Sequence, residues 1–266
     1  MALAQHKSLD IRYRQQVDNS REYLVPFIER RLNIGPDTHV LEIGCAEGGV
    51  LRPFLEAGAS IAGVDLSPAR VATAKENFKE EIAQGRAEFV AQNVYEEAFL
   101  SKHKGRYDLI LLKDTIEHIP DQEKFIPYLK NFLKPEGKIF FGFPPWRMPF
   151  GGHQQTNKNK FLAMLPWYHL FPRSIYSAIL KAGGETDKQV EDMLEIKDTG
   201  INLGRFEKIL KQDNWEVLER TLFLFNPIYR YKFGLTPREQ FPILGDIPFV
   251  RDFVTTAGWY LVSPRK

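Results

Sequence analysis

Residues able to do chemistry crowd one part of this chain. The run Val40–Gly49, VLEIGCAEGG, sets Gly44, Ala46 and Gly48 directly behind an apolar strand candidate and ahead of a helical pattern. Small residues there let the backbone approach a ligand closely, and a helix N-terminus offers free N–H groups. The spacing alone is ambiguous. Gly44, Ala46 and Gly48 fit a G-x-G-x-G loop with alanine in the middle, while Gly44, Ala46 and Gly49 fit the dinucleotide fingerprint with the same replacement. A tight turn that only packs a helix on a strand is a third account. Asp65 closes the next strand candidate, 21 positions beyond Gly44, where a carboxylate can accept both hydroxyls of a ribose. Capping is only partly excluded as its role, since Ser67 already stands at the helix cap with Pro68 behind it.

Histidines supply the second kind of chemistry. His153, in FGGHQQT, follows the fifth strand candidate, and the glycines before it let the backbone bend over a pocket. It is the first choice for a general base, against a polar loop residue hydrogen-bonded locally, and His118, beside Glu117, is the second, against a residue that caps or packs. Trp146, Phe150, Trp167, Tyr168 and Phe171 form an aromatic set that either lines an acceptor pocket or makes a small core. Trp146, Tyr168 and His169 are the expected substrate contacts. No H-E-x-x-H, C-x-x-C or clustered Asp pair is present, so no metal site is expected. The single cysteine, Cys45, allows no intrachain disulfide and fits a reducing compartment.

The elements that must position these residues alternate. Strands are expected at 39–43, 60–64, 87–91, 107–112 and 138–143, with helices over 47–57, from Pro68 toward Ile82, and over 122–133. Near-continuous apolar strands alternating with helices imply a parallel sheet covered on both faces, with ligands beyond the strand C-termini. From about 146 to 203 the text turns aromatic and rich in Pro and Lys, with helical patterns at 158–165 and 172–182 and no clear strand. This stretch reads as a lid over the mouth of the sheet. A helix at 205–212 and strands at 215–225 and 258–263 follow, separated by a second proline-bearing excursion over 226–256.

With 266 residues, 43% of them hydrophobic and 26% charged, the chain has the composition of a folded soluble protein. A net charge of +2, without basic runs, argues against a nucleic acid partner. No segment reaches the length of apolar chain that spans a bilayer, and the first residues lack a signal-peptide core, so a cytoplasmic protein without stable membrane insertion is expected.

Five blocks, taken in order, resemble the class I S-adenosylmethionine-dependent methyltransferases. They are VLEIGCAEGG, GVDLS at 63–67, FVAQNVYE at 89–96, YDLILLKDTIEHIPD at 107–121 and LKPEGKIFFGFPP at 133–145. The resemblance implies a Rossmann-like, doubly wound α/β sheet of seven strands, the last antiparallel, with helical lid insertions. It divides the chain into an N-terminal helical flap, 1–36, and a methyltransferase domain, 37–266. It further implies that Glu42 lies near the cofactor's amino end or supports the loop there, with Gly44, Ala46 and Gly48 passing under the methionine and ribose. Asp65 would take the ribose hydroxyls, Leu66 would face the adenine, Asn93 and Val94 would edge it, and Lys113 and Asp114 would stand beside the methionine. Tyr13, in the flap, is a sulfonium-side contact on the same analogy. Ala46 and Asn93 depart from the usual glycine and aspartate of the family. The function implied is methyl transfer to a small-molecule acceptor at oxygen or nitrogen. Cofactor binding without turnover and a nicotinamide-dependent oxidoreductase are the alternatives.

Overall fold

Strands such as Leu109–Leu112 have no polar face, so they fold only where both sides of a sheet are covered. A computed structural model describes residues 9–265 and shows how that covering is achieved. The strands are β1 (His39–Ile43), β2 (Ser60–Asp65), β3 (Ala87–Ala91), β4 (Tyr107–Lys113), β5 (Leu133–Phe143), β6 (Trp215–Phe225), β7 (Arg238–Glu239) and β8 (Ala257–Pro264). They lie in the order β3-β2-β1-β4-β5-β8-β6-β7. β3 through β5 are parallel, and β8 inserts antiparallel between β5 and β6. The chain leaves β1 for one side of the sheet and returns as β4 on the other, which opens a crevice above the C-terminal ends of β1 and β4.

Alternation along each strand splits the core in two. Leu41, Ile110, Leu112 and Phe141 belong to the cluster on one face, while Val40, Leu109, Leu111 and Phe140 belong to the other. The helices Leu9–Asn19 and Val25–Glu29, joined by a π-helical turn at Ser20–Leu24, close the second face. Phe27 meets Phe140 and Trp259 edge-on, with ring centroids 5.8 and 5.6 Å apart. A third cluster, including Leu162, Tyr176, Leu180, Val190 and Met193, is the core of the first excursion.

The expected seven strands are present with the last antiparallel. The eighth, β7, is two residues long and pairs the edge of β6 from within the second excursion, too short to leave a periodic signal. The helix expected over 47–57 begins only at Arg52, because turns closed by Gly48 N to Cys45 O and Leu51 N to Gly48 O occupy the glycine-rich stretch. The helix from Pro68 ends at Asn77 and resumes at Lys79, with Phe78 at φ −122° between. The expected helix over 122–133 gives way after Tyr128 to a 3-10 turn. A further helix, Asp187–Thr199, lies beyond the helical patterns expected in this stretch, and its start is a capping box of Thr186 and Gln189, T-x-x-Q. Among the described residues, no helix is long and apolar enough to cross a membrane.

Candidate functional site

The loop after β1 is held by its own backbone. Gly44 and Cys45 both donate to Val64 O, at 2.8 and 3.1 Å, and the chain then turns through left-handed conformations at Gly44 (φ 78°), Ala46 (φ 49°) and Gly48 (φ 81°). A Cβ at Gly48 would sit 2.7 Å from the Phe78 ring. Gly48→Ala therefore combines left-handed strain with overpacking and should cost about 2–4 kcal/mol, read as a lowered denaturation midpoint at unchanged m. Ala46 shows that one non-glycine residue is tolerated in this loop at the ordinary cost of such a backbone.

Asp65 ends β2 and faces this loop. Its Oδ2 accepts from Ala46 N at 2.9 Å and its Oδ1 from Ser67 N at 2.8 Å, so the carboxylate ties two loops together and keeps its remaining lone pairs toward a cavity of about 500 Å³. Gly44, Leu66, Asn93, Val94, Asp114 and His118 also line that cavity, with Thr115 and Phe125 beneath them. Leu66 is 72% exposed at the mouth. Asn93 Oδ1 is partly engaged by Tyr95 N at 3.0 Å in a local turn. Glu42 and Lys113 stand behind the wall. Burial pushes the Glu42 carboxyl well above its usual range against the opposing charge of Lys113, and Lys113 Nζ reaches Asp114 Oδ2 at 2.7 Å. Neither Glu42 nor Lys113 is among the residues that line the cavity.

Tyr13 departs from its expected place. Its hydroxyl accepts from Arg52 Nε at 3.2 Å and its backbone carbonyl lies against Gly49, so the residue anchors the N-terminal helix and does not line the cavity. The same helix carries Arg12, which pairs with the fully buried Glu47 at the start of the turn after Ala46, a contact between distant segments that no local pattern marks.

A second cavity, of about 180 Å³, opens beside the first, and Asp114 belongs to the walls of both. Glu117 and His153 face it from the sheet side, while Tyr229 and Lys232 come from the second excursion. Asp114 (φ 53°) and His153 (φ 56°) hold left-handed backbones, the kind of strain that concentrates at working sites. His153 Nε2 lies 4.0 Å from Glu117 Oε1, and the His118 and His153 rings meet edge-on with centroids 5.1 Å apart. His118 lines the first cavity and His153 the second. Burial, with His118 nearby, pulls the His153 pKa down to about 4, so at neutral pH its ring carries a free lone pair. Burial likewise pushes the Glu117 carboxyl well above its ordinary value, with Asp114 adding to it.

The small cavity leads into a groove of about 690 Å³ between the two excursions. Met148, Phe150 and Tyr229 line both, and the groove continues along Ala163, Met164, Phe233 and Leu235. Phe150 is thus the one member of the aromatic set that faces these cavities.

Trp146, Tyr168 and His169 line none of these cavities and instead pack the first excursion. His169 Nδ1 meets Gln154 Nε2 at 2.8 Å and its Nε2 meets Trp146 O at 2.8 Å, which fixes the neutral tautomer protonated at Nε2. The Trp146 ring stands edge-on to His169 at 4.6 Å, and the Tyr168 hydroxyl accepts from Asn157. Both ring nitrogens of His169 are thus engaged within the excursion itself. Burial pulls the His169 pKa down to about 4, below the unfolded value near 6.5. Below pH 6.5 the unfolded chain takes up a proton that the folded one refuses, so stability falls as pH drops from 6.5 toward 4. The contribution is about 3 kcal/mol at full extent, and His169→Gln should flatten that part of a pH series of thermal midpoints.

The family model describing methyltransferase domains matches residues 13–184. The ubiquinone biosynthesis O-methyltransferase of Coxiella burnetii is 30% identical over 115 residues, which is 43% of this chain and 47% of the relative. The chain thus matches less than half the length of that curated relative. Among solved structures, geranyl diphosphate methyltransferase in complex with SAM superposes with a TM-score of 0.59 at 12% identity, covering 94% of this chain and 85% of the other. The geranyl diphosphate C-methyltransferase of Streptomyces coelicolor, in complex with Mg2+, geranyl diphosphate and S-adenosyl-L-homocysteine, gives 0.57 at 13% identity over 91% and 80%. The crevice above β1 and β4, the carboxylate at the end of β2 and the matched family model agree: the chain belongs to the class I S-adenosylmethionine-dependent methyltransferases.

Proposed function

We propose that this enzyme methylates an oxygen of a small acceptor whose reactive end enters the 180 Å³ cavity and whose apolar body lies in the 690 Å³ groove. One observation carries the reading: Asp114 stands in the wall of both the larger cofactor cavity and the smaller one, so the two spaces meet where a methyl group must cross. The residues present fit the cofactor. The loop at Gly44–Gly48 is bent for close backbone approach, and Asp65 retains lone pairs for two ribose hydroxyls. Asn93 and Val94 edge the far end. When bound, S-adenosylmethionine supplies an electrophilic methyl group on a sulfonium.

The chain's own task is then positioning and activation. Asp114 faces the junction with its charge held beside Lys113. His153 presents an unprotonated nitrogen to the acceptor, a lone pair that serves either to take the hydroxyl proton or to hold a cation. Across the whole reaction an O–C bond forms, an S–C bond breaks and one proton leaves the acceptor. The O-methyltransferase name of the curated relative supports oxygen as the target. The apolar walls of the groove, Met148, Phe150, Ala163, Phe233 and Leu235, support an acceptor with a hydrocarbon body.

A graded series of phenols with alkyl tails of increasing length tests this reading. KM should fall with tail length in the wild type. Ala163→Trp, which fills the groove away from the small cavity, should raise KM at least ~10-fold for the longest acceptor and leave the shortest unchanged. A KM independent of tail length would remove the groove from acceptor binding.

A further inference from the structure

One wall residue of the small cavity is a buried acid. Glu117 is buried at 4% exposure, and neither of its carboxylate oxygens accepts a hydrogen bond from another residue, although its own amide lies close enough to favour the charged form. A buried carboxylate without partners is costly, so one that persists at a cavity wall marks a place where something else completes its shell. The 3-10 turn Ile116–His118 puts Glu117 and His118 side by side, and the left-handed backbone at His153 brings a second imidazole over them. One ligand atom from each of the three lies within 4.8 Å of the others. No spacing rule finds this set, because its members come from two separate segments joined only by the fold.

We propose that Glu117, His118 and His153 form a site for a borderline first-row divalent cation of the Zn2+ type, with its open coordination positions facing the acceptor cavity. Two imidazoles and one carboxylate, with room for a further ligand, are the donor set of open zinc sites. They suit Zn2+, Co2+ or Fe2+ better than Mg2+, which demands oxygen ligands. Bonds of about 2.1 Å in a tetrahedron place neighbouring donors about 3.4 Å apart, so the set, with 4.0 Å between His153 Nε2 and Glu117 Oε1 and all three atoms within 4.8 Å, must draw together when the ion binds. Among the fixed charges nearby, Asp114 is paired with Lys113, and Lys232 lines the same cavity. The imidazoles decide the selectivity. The cation would lower the pKa of an acceptor hydroxyl that reaches it. That role rests on the acceptor reading above, whereas binding of the cation does not.

The test is a Co2+ titration of tag-free, chelator-stripped protein, followed by visible absorption, with Zn2+ competition. One equivalent of Co2+ should give the absorption of a low-coordinate ion, be displaced by Zn2+ and ignore excess Mg2+. Glu117→Gln and His153→Gln should each weaken binding at least ~100-fold while binding S-adenosylmethionine like the wild type, which reports that they fold. A wild type that takes up no stoichiometric Co2+ overturns the site, whatever the variants do, as does equal uptake by folded variants. Full methyl transfer by the stripped enzyme overturns the cation's role and leaves the acceptor reading standing. Stoichiometric Co2+ uptake by an enzyme that methylates no acceptor supports the site and counts against that reading.

Discussion

Asp65→Ala weakens S-adenosylmethionine binding at least ~100-fold. The expectation follows from two roles on one carboxylate. Asp65 accepts from the amides of Ala46 and Ser67 and so sets the distance between the glycine-rich loop and the end of β2. Its remaining lone pairs take the ribose hydroxyls, and hydrogen bonds to a charged group contribute about 1.5–3 kcal/mol each. Losing two of them already exceeds two powers of ten in affinity, before the loop relaxes. Asp65→Asn keeps the shape and an acceptor oxygen but replaces the other with a donor, and should lose about 10-fold. Calorimetric titration with S-adenosylmethionine, S-adenosylhomocysteine and NADH reads all of this. NADH should not bind the wild type. An Asp65→Ala protein that binds the sulfur cofactor normally would separate the carboxylate from the ribose.

The second large effect belongs to His153. His153→Ala should lower kcat by 10²-fold or more and leave cofactor affinity unchanged, because the side chain faces the smaller cavity and not the larger one. The unchanged affinity is the informative half. Removal of a merely structural histidine at this junction would loosen Asp114 and disturb both cavities together. His118→Ala, whose ring meets His153 edge-on and lines the cofactor side, should affect both affinity and turnover. Single-turnover measurements at saturating cofactor separate the two patterns.

What the sequence made legible was whatever is written locally. The apolar runs that became β1, β2, β4 and β5 carry their burial in their composition, and Ser67 followed by Pro68 marks a helix start that the structure shows as a side-chain cap on Arg70 N. Gly44, Asp65, Leu66, Asn93, Val94 and Asp114 fall on one cavity, because parallel sheets bring strand C-termini together whatever the loops contain. The first excursion was legible only as a change of rhythm. Trp146, Tyr168 and His169 have the residue types of a binding pocket and of a small core alike, and only packing decides between them. Here the decision comes from hydrogen bonds among His169, Gln154 and the Trp146 carbonyl. Glu117 enters the sequence reading only as the neighbour of His118, because its burial leaves no local signal: the helix Asp187–Thr199 packs against its turn and Thr199 Oγ1 donates to its carbonyl. Tyr229 and Lys232, across the cavity, come from a stretch whose helix is five residues long and gives no periodicity. Tyr13 shows the limit of analogy: a tyrosine in the right segment is here claimed by Arg52.

The most direct test of the account is transfer of a labelled methyl group from S-adenosylmethionine to a tailed phenol, with S-adenosylhomocysteine and the O-methyl product measured by mass spectrometry in wild type and His153→Ala. Equal amounts of the two products in the wild type, and their loss in a variant that still binds the cofactor, are the predicted result. Methyl transfer that proceeds at the wild-type rate without His153 would be the contrary result, since acceptor activation would then not depend on the nitrogen that faces this cavity.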